Sequence, residues 1–129
     1  MGNMENWLAL RRLEQKLRQD IERTLSKLSH PITSNELQTL YFLNESQGQK
    51  LQISEISEKI DLSVSATSRM LVRFEKNCGV IERHICVDDK RIVEIKLTNL
   101  GKERLTEGLA TIAPILEKYK TTLEAFKNN

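Results

Sequence analysis

From Ser54 to Leu97 two short stretches of helical spacing follow one another with almost no room for a loop, and two β-rich runs follow them directly. Ser54 is placed to cap a helix whose inward residues are Ile56 and Ile60, Asp61-Leu62 turns the chain, and Ser63 caps a second helix. In that second helix Thr67, Leu71, Phe74 and Cys78 recur at spacings of four, three and four, with Met70 beside them, which sets the face that must be buried. Ile81 to Val87 and Ile92 to Leu97 read as strands joined by Asp88-Asp89-Lys90-Arg91, and Val93, Ile95 and Leu97 share an apolar face. A helix, a tight turn, a helix and a hairpin describe a winged helix-turn-helix. The alternation in Leu51-Gln52-Ile53 supplies a short strand to the same hairpin.

The flanks are helical. From Met4 to Ser29 the residues Trp7, Leu10, Leu13, Leu17, Ile21, Leu25 and Leu28 recur every three or four, an amphipathic helix of about seven turns, and His30-Pro31 stops it. Thr33 and Glu36 are spaced as a capping box for a helix burying Leu37, Leu40, Tyr41 and Leu43, and Asn44 to Lys50, with Gly48, is a polar loop. Thr98 can cap a last helix in which Leu105, Leu109, Ile112, Leu116, Tyr119, Leu123 and Phe126 form a heptad seam, with Pro114 bending it near Ala110 to Ala113. Two readings of this seam stay open: it zips, with the first helix, against a second copy, or the two helices pair within one chain. The expected fold is therefore mainly α with a small β-wing (α+β). Residues 1–129 form a single domain in this reading, with helices at 1–30 and 99–129 used for dimerisation and the winged unit at 32–98.

Composition bounds the function. At 129 residues the chain suits one domain, and 39% hydrophobic with 29% charged residues argues against disorder. No apolar run reaches membrane length, no signal peptide opens the chain, and Asn6 argues against reading Met1-Gly2 as a myristoylation start. Two Cys make no disulfide framework, and the expected location is the cytoplasm. Neither a Gly-rich phosphate loop nor a Gly-x-Ser-x-Gly elbow is present, so no enzyme and no cofactor is expected. Cys78, Cys86, His84 and His30 lack zinc-ligand spacing, so no metal is expected either.

Charge is informative by position only. The net charge is +2, and residues 54–97 hold eight Lys or Arg against eight Asp or Glu. The outward face of the second helix carries Ser65, Ser68, Arg69, Val72, Arg73 and Lys76. Short hydroxyls let a helix approach the floor of a major groove, and Arg can fork two bonds to guanine or hold a phosphate. At the hairpin tip Arg91 can enter a narrow minor groove with Asp89 orienting it. The plainer readings are a solvated helix face and a weak surface ion pair. A competitor of a different class is a winged-helix protein–protein interaction module without operator binding. Salt dependence separates the two, because phosphate neutralisation makes DNA affinity fall steeply with salt.

Several segments together resemble the MarR family of bacterial transcription regulators over about residues 32 to 105. They are Ile32-Thr33, Leu51 to Ile60, Ser63 to Glu75, Gly79-Val80-Ile81-Glu82-Arg83, Asp89-Lys90-Arg91 and Leu97-Thr98-Asn99-Leu100-Gly101. The Asp-x-Arg wing, followed six residues later by Leu-Thr-x-x-Gly, is the most specific part. The resemblance implies a sequence-specific transcriptional regulator, commonly a repressor, that binds double-stranded DNA as a homodimer on a near-palindromic operator. It also implies relief by a small ligand or by oxidation of a cysteine. Carried over by position, Ser65, Ala66, Ser68, Arg69 and Arg73 lie at the major groove, with Lys76 on the same face, and Asp89, Lys90 and Arg91 form the wing. Cys86, which alternates outward with Glu82 and His84, is the candidate redox thiol, while Cys78 belongs to the core stripe. An effector pocket would lie near Trp7, Leu10, Tyr41 and Ile112. The chain departs from the family pattern in one extra residue between Glu75 and Gly79 and in having no Cys in the first helix. It also stops at Asn129, where the family usually adds a further helix.

Overall fold

The structure is a computed structural model that describes residues 2–127; at positions 77 and 78 it describes the backbone and not the side chains. The placement of Cys78 on the core stripe therefore lies outside the described side chains. Helix α1 (Gly2–Leu25) and helix α2 (Ser34–Glu45) precede strand β1 (Lys50–Gln52), helix α3 (Ile53–Ile60) and helix α4 (Val64–Cys78). Strands β2 (Ile81–Ile85) and β3 (Val93–Leu97) follow, then helices α5 (Asn99–Lys118) and α6 (Lys120–Lys127). The chain divides into two compact units, Asn35–Gly108 and Met1–Ser34 with Leu109–Asn129.

The unit Asn35–Gly108 contains the winged helix. Its three strands pair antiparallel in the order β1-β3-β2, with Leu51 opposite Ile95, Ile81 opposite Leu97 and His84 opposite Glu94. Alternation along β3 buries Ile95 and Leu97 and leaves Lys96 exposed, so one face of the sheet is apolar. Leu40, Leu43, Ile56, Leu71, Phe74 and Val80 complete the core, each at 1% exposure or less. Burial of each such side chain is worth about 1.5–3 kcal/mol.

Several expectations need correction. Gln52, not Ser54, precedes α3, and its backbone N–H donates to Glu55 Oε1 at 2.9 Å. Because β1 pairs with β3 through Gln52 opposite Glu94, the strand runs straight into the helix and the cap falls on its last residue. On α2 Tyr41 is exposed and Thr39 is buried in its place, its hydroxyl donating to the Asn35 carbonyl at 2.8 Å. Thr39 and Tyr41 flank Leu40 at equal angles of about 100°, so the helical period alone does not choose which of them is buried. The strands are shorter than their β-rich runs: β2 ends at Ile85 and β3 starts at Val93, leaving Val87 almost wholly exposed.

In the other unit burial along α1 grows toward its C-terminal end. Met4, Trp7 and Leu10 are exposed, Leu13, Leu17 and Ile21 are half-buried, and Leu25 is fully buried. The helix ends at Leu25, four residues short of the expected Ser29, and a turn carries the chain to Pro31. On the C-terminal helices Ile112 is buried, while Leu109, Leu116 and Phe126 are exposed. Helix α5 continues through Pro114. The interruption falls instead at Tyr119, whose N–H bonds three residues back to Leu116, before Leu123 resumes helical bonding to the Tyr119 carbonyl. Among the described residues no helix is long and apolar enough to cross a membrane.

Candidate nucleic-acid interface

The turn between α3 and α4 is fixed by backbone bonds. Asp61 takes a left-handed conformation (φ 58°, ψ 43°), and its N–H and that of Leu62 both donate to the Ser57 carbonyl. Two residues later Ser63 Oγ accepts the Ala66 N–H at 3.1 Å, capping α4 as its sequence position predicts. The buried Thr67 hydroxyl returns to the Ser63 carbonyl at 2.9 Å, so the helix is tied to its cap from both sides. Gly79, with φ 64° and ψ 17°, ends the helix in a conformation that costs a side-chain-bearing residue about 1 kcal/mol.

This anchoring buries Thr67, Met70, Leu71 and Phe74 and turns the opposite face outward. Ser65, Arg69, Arg73 and Lys76 are exposed, and Ala66 and Ser68 are half-buried at its edges. Glu75, the one carboxylate in α4, accepts Arg83 Nε at 3.1 Å, joining the end of α4 to β2. Arg83 Nη2 is buried and has no partner among the described residues. Sequence reasoning missed this pair, because the two residues lie eight apart across a helix end and only the folded register brings them together.

The hairpin tip is a second ordered element of the same unit. Arg91 forks onto Asp89 through Nε to Oδ1 at 3.0 Å and Nη2 to Oδ2 at 3.1 Å, and its backbone N–H also donates to Oδ1 at 3.0 Å. The Ile92 N–H bonds the Asp89 carbonyl, and the Cys86 N–H bonds the Ile92 carbonyl, which closes the turn. Asp89 is half-buried, while Lys90 and the Arg91 side chain stand in solvent, the latter at 90% exposure. The Arg91 guanidinium, and after it the Arg91 backbone N–H, hold the Asp89 carboxyl below the usual carboxylate range, and the pairing raises Arg91. A carboxyl depressed in the folded state contributes its stabilisation above the unfolded pKa and loses it as pH falls through the folded value. The expected result is that carbon-detected NMR places the Asp89 midpoint below that of an unstructured peptide aspartate, and that Arg91→Ala returns it to the ordinary range. An unchanged midpoint in the variant would remove the pair as the cause.

Cys86 is half-buried rather than openly exposed, because its backbone is drawn into the turn below the wing tip. Of the residues expected around an effector, Trp7, Leu10 and Tyr41 are exposed and Ile112 is buried. A surface pocket of about 260 Å³ lies along α1 between Leu8, Arg11, Arg12 and Gln15, none of which was expected from the sequence.

The Leu97-Thr98-Asn99-Leu100-Gly101 segment has a structural role. Thr98 Oγ1 donates to the Gly79 carbonyl at 2.8 Å and accepts the Gly101 N–H at 3.0 Å, so one hydroxyl ties the end of α4 to the start of α5. A β-carbon at Gly101 would overlap the Val80 carbonyl oxygen and approach Leu97 Cδ1 to 2.5 Å.

A helix-turn-helix with an outward cationic face and a three-stranded sheet whose hairpin ends in an ordered Asp–Arg fork defines a winged helix protein. Residues 32–93 match the model described as the MarR family. The chain is 28% identical over 116 residues to the HTH-type transcriptional repressor MdtR of Bacillus subtilis, covering 90% of this chain and 72% of that one. Its fold is similar to Sco3205 of Streptomyces coelicolor, a MarR family regulator solved in complex with DNA, with a TM-score of 0.77 and 23% identity over 96% of this chain and 82% of the other. Sco5413 of the same organism, another MarR family regulator, gives a TM-score of 0.83 at 16% identity, covering 98% and 89% of the two chains. Over residues 32–93 this chain is thus similar to the MarR family of transcriptional regulators.

Proposed function

We propose that the chain is a homodimeric repressor that binds a near-palindromic operator in double-stranded DNA. The observation that carries this reading is the pairing, within one compact unit, of a capped helix with exposed Ser65, Arg69, Arg73 and Lys76 and a wing whose Arg91 is held extended by Asp89. Ala66 and Ser68 border the major-groove face, and Lys90 accompanies Arg91 at the minor groove. In this reading residues 1–129 act as one functional domain in the cytoplasm, with 32–98 as the winged unit and the segments 1–30 and 99–129 as the dimerisation helices. The exposed Met4, Trp7, Leu10, Leu109, Leu116 and Phe126 supply the apolar surface that a second copy covers. Relief comes from a small ligand or from oxidation at Cys86. Cys86→Ser should then abolish release by peroxide; unchanged release would dismiss the thiol.

The test is binding to duplexes selected from the protein's own genomic fragments, titrated across salt concentrations. With phosphates neutralised at both half-sites, affinity is expected to fall about 10³-fold or more between 50 and 200 mM salt. Weak salt dependence, or no duplex retained at low salt, would favour the protein-interaction module instead. Sedimentation at micromolar concentration should give twice the chain mass, and a monomer would sink the dimer.

A further inference from the structure

The proposed DNA reading leaves two exposed valines of α4 without a task, Val64 at its first position and Val72 in its interior. Ser65, Arg69, Val72 and Lys76 recur at spacings of four, three and four, the first three each two residues ahead of a buried position, Thr67, Leu71 and Phe74. Two residues turn a helix by about 200°, so this line is the one most nearly opposite the core. Val72 sits in its middle at 47% exposure. A β-branched residue is a poor choice for a solvated helix interior, since its χ1 freedom is restricted there and its methyls face water. Arg69, Arg73 and Lys76 surround it along the exposed face, and Glu75 is engaged by Arg83. The surroundings of Val72 are thus cationic, which suits a polyanion and argues against an apolar protein partner.

We propose that Val72 reads the 5-methyl group of a thymine in each half-site; the proposal rests on the DNA reading above and adds a base identity to it. Thymine presents the one apolar group among the base-pair edges of the major groove, and short apolar side chains are its natural partners. The side chain of Val72 is short, so it contacts only what the helix itself presses against. Ser65, about two turns earlier on the same line, and Ser68 on the adjoining edge add no bulk that would hold the helix away. The long cations meanwhile reach past it to guanine or phosphate.

The full-length chain would be used to select duplexes from a randomised library, and each thymine of the recovered half-site would be replaced in turn by deoxyuridine, which removes only the methyl. One position per half-site is expected to weaken wild-type binding about fourfold, the equivalent of one buried methyl group. Val72→Ser, which removes both γ-methyls and leaves a hydroxyl, is expected to bind the thymine and uracil forms of that position nearly equally, while Val72→Thr, which keeps one methyl, should retain part of the difference. A wild-type scan with no position changing more than about 1.5-fold overturns the proposal while leaving operator binding intact, and needs no variant to fold. A uracil penalty that persists undiminished in Val72→Ser overturns it as well, since another residue then reads the methyl. Failure to enrich any duplex would bring down the operator reading and this proposal with it.

Discussion

Arg91→Ala is expected to weaken binding of a selected operator duplex by about 10- to 100-fold, with the larger loss on sequences whose flanks have a narrow minor groove. The wing presents a guanidinium at 90% exposure that is nevertheless ordered by a two-point fork and a backbone bond to a single carboxylate. Binding therefore does not have to restrict a freely rotating side chain, a cost that ordinarily offsets part of each contact. This separates the roles of the two residues. Asp89→Ala keeps the cation and loses only its orientation, so its effect should be about threefold to tenfold, within the range expected for immobilising one long side chain. Fluorescence anisotropy on one duplex measures both. Equal losses in the two variants would show that Asp89 does more than orient Arg91, and no loss in Arg91→Ala would remove the wing from the interface.

Gly101→Ala is expected to lower stability by about 2–4 kcal/mol, and the melting temperature by roughly 8–15 °C in circular dichroism. The first atom added meets the Val80 carbonyl oxygen and then Leu97 Cδ1, and the carbonyl cannot move because Thr98 N–H bonds it at 3.1 Å. Alanine would gain about 1 kcal/mol of helix propensity over glycine, which opposes the clash and is outweighed by it. Gly79→Ala makes the informative contrast. Its β-carbon would meet nothing nearer than Leu100 Cδ2 at 3.9 Å, so the cost is the left-handed backbone alone, about 1 kcal/mol. If the two variants melted together, the close approach at Gly101 would not matter.

The helix-turn-helix was readable because its signals are local. Ser63 caps the helix it precedes, the stripe through Thr67, Leu71 and Phe74 is periodic, and Gly79 stands where a left-handed residue must. The short strand was also signalled by the alternation at Leu51-Gln52-Ile53, although it runs one residue earlier, over Lys50–Gln52, and Ile53 opens α3. Where the sequence misled, a longer-range constraint had taken over. The cap of α3 moved to Gln52 because sheet pairing holds that residue, and the last helix broke at Tyr119 although Pro114 is the stronger local signal. The Glu75–Arg83 pair and the packing at Gly101 depend on chain approaches that no spacing rule contains. The exposure of Ser65, Arg69, Arg73 and Lys76 follows from helical period alone, whereas Ala66 and Ser68 are half-buried at the edges of that face. What could not be read was the set of contacts that aims them.

The Thr98 hydroxyl has a mechanical corollary. By holding Gly79 and Gly101 together it clamps the two feet of the hairpin at one point, while the tip carries its own closed turn. Such a hairpin is a cantilever, stiff at the mount and self-contained at the far end. Its length can then change without disturbing either. Adding two residues to each arm would advance Arg91 by about 6.6 Å and keep the same face inward, whereas adding one to each would carry the tip to the opposite face. Reach along a minor groove is in this sense an adjustable dimension of the molecule, one that insertions in matched pairs can alter while the helix that reads the major groove stays where it is.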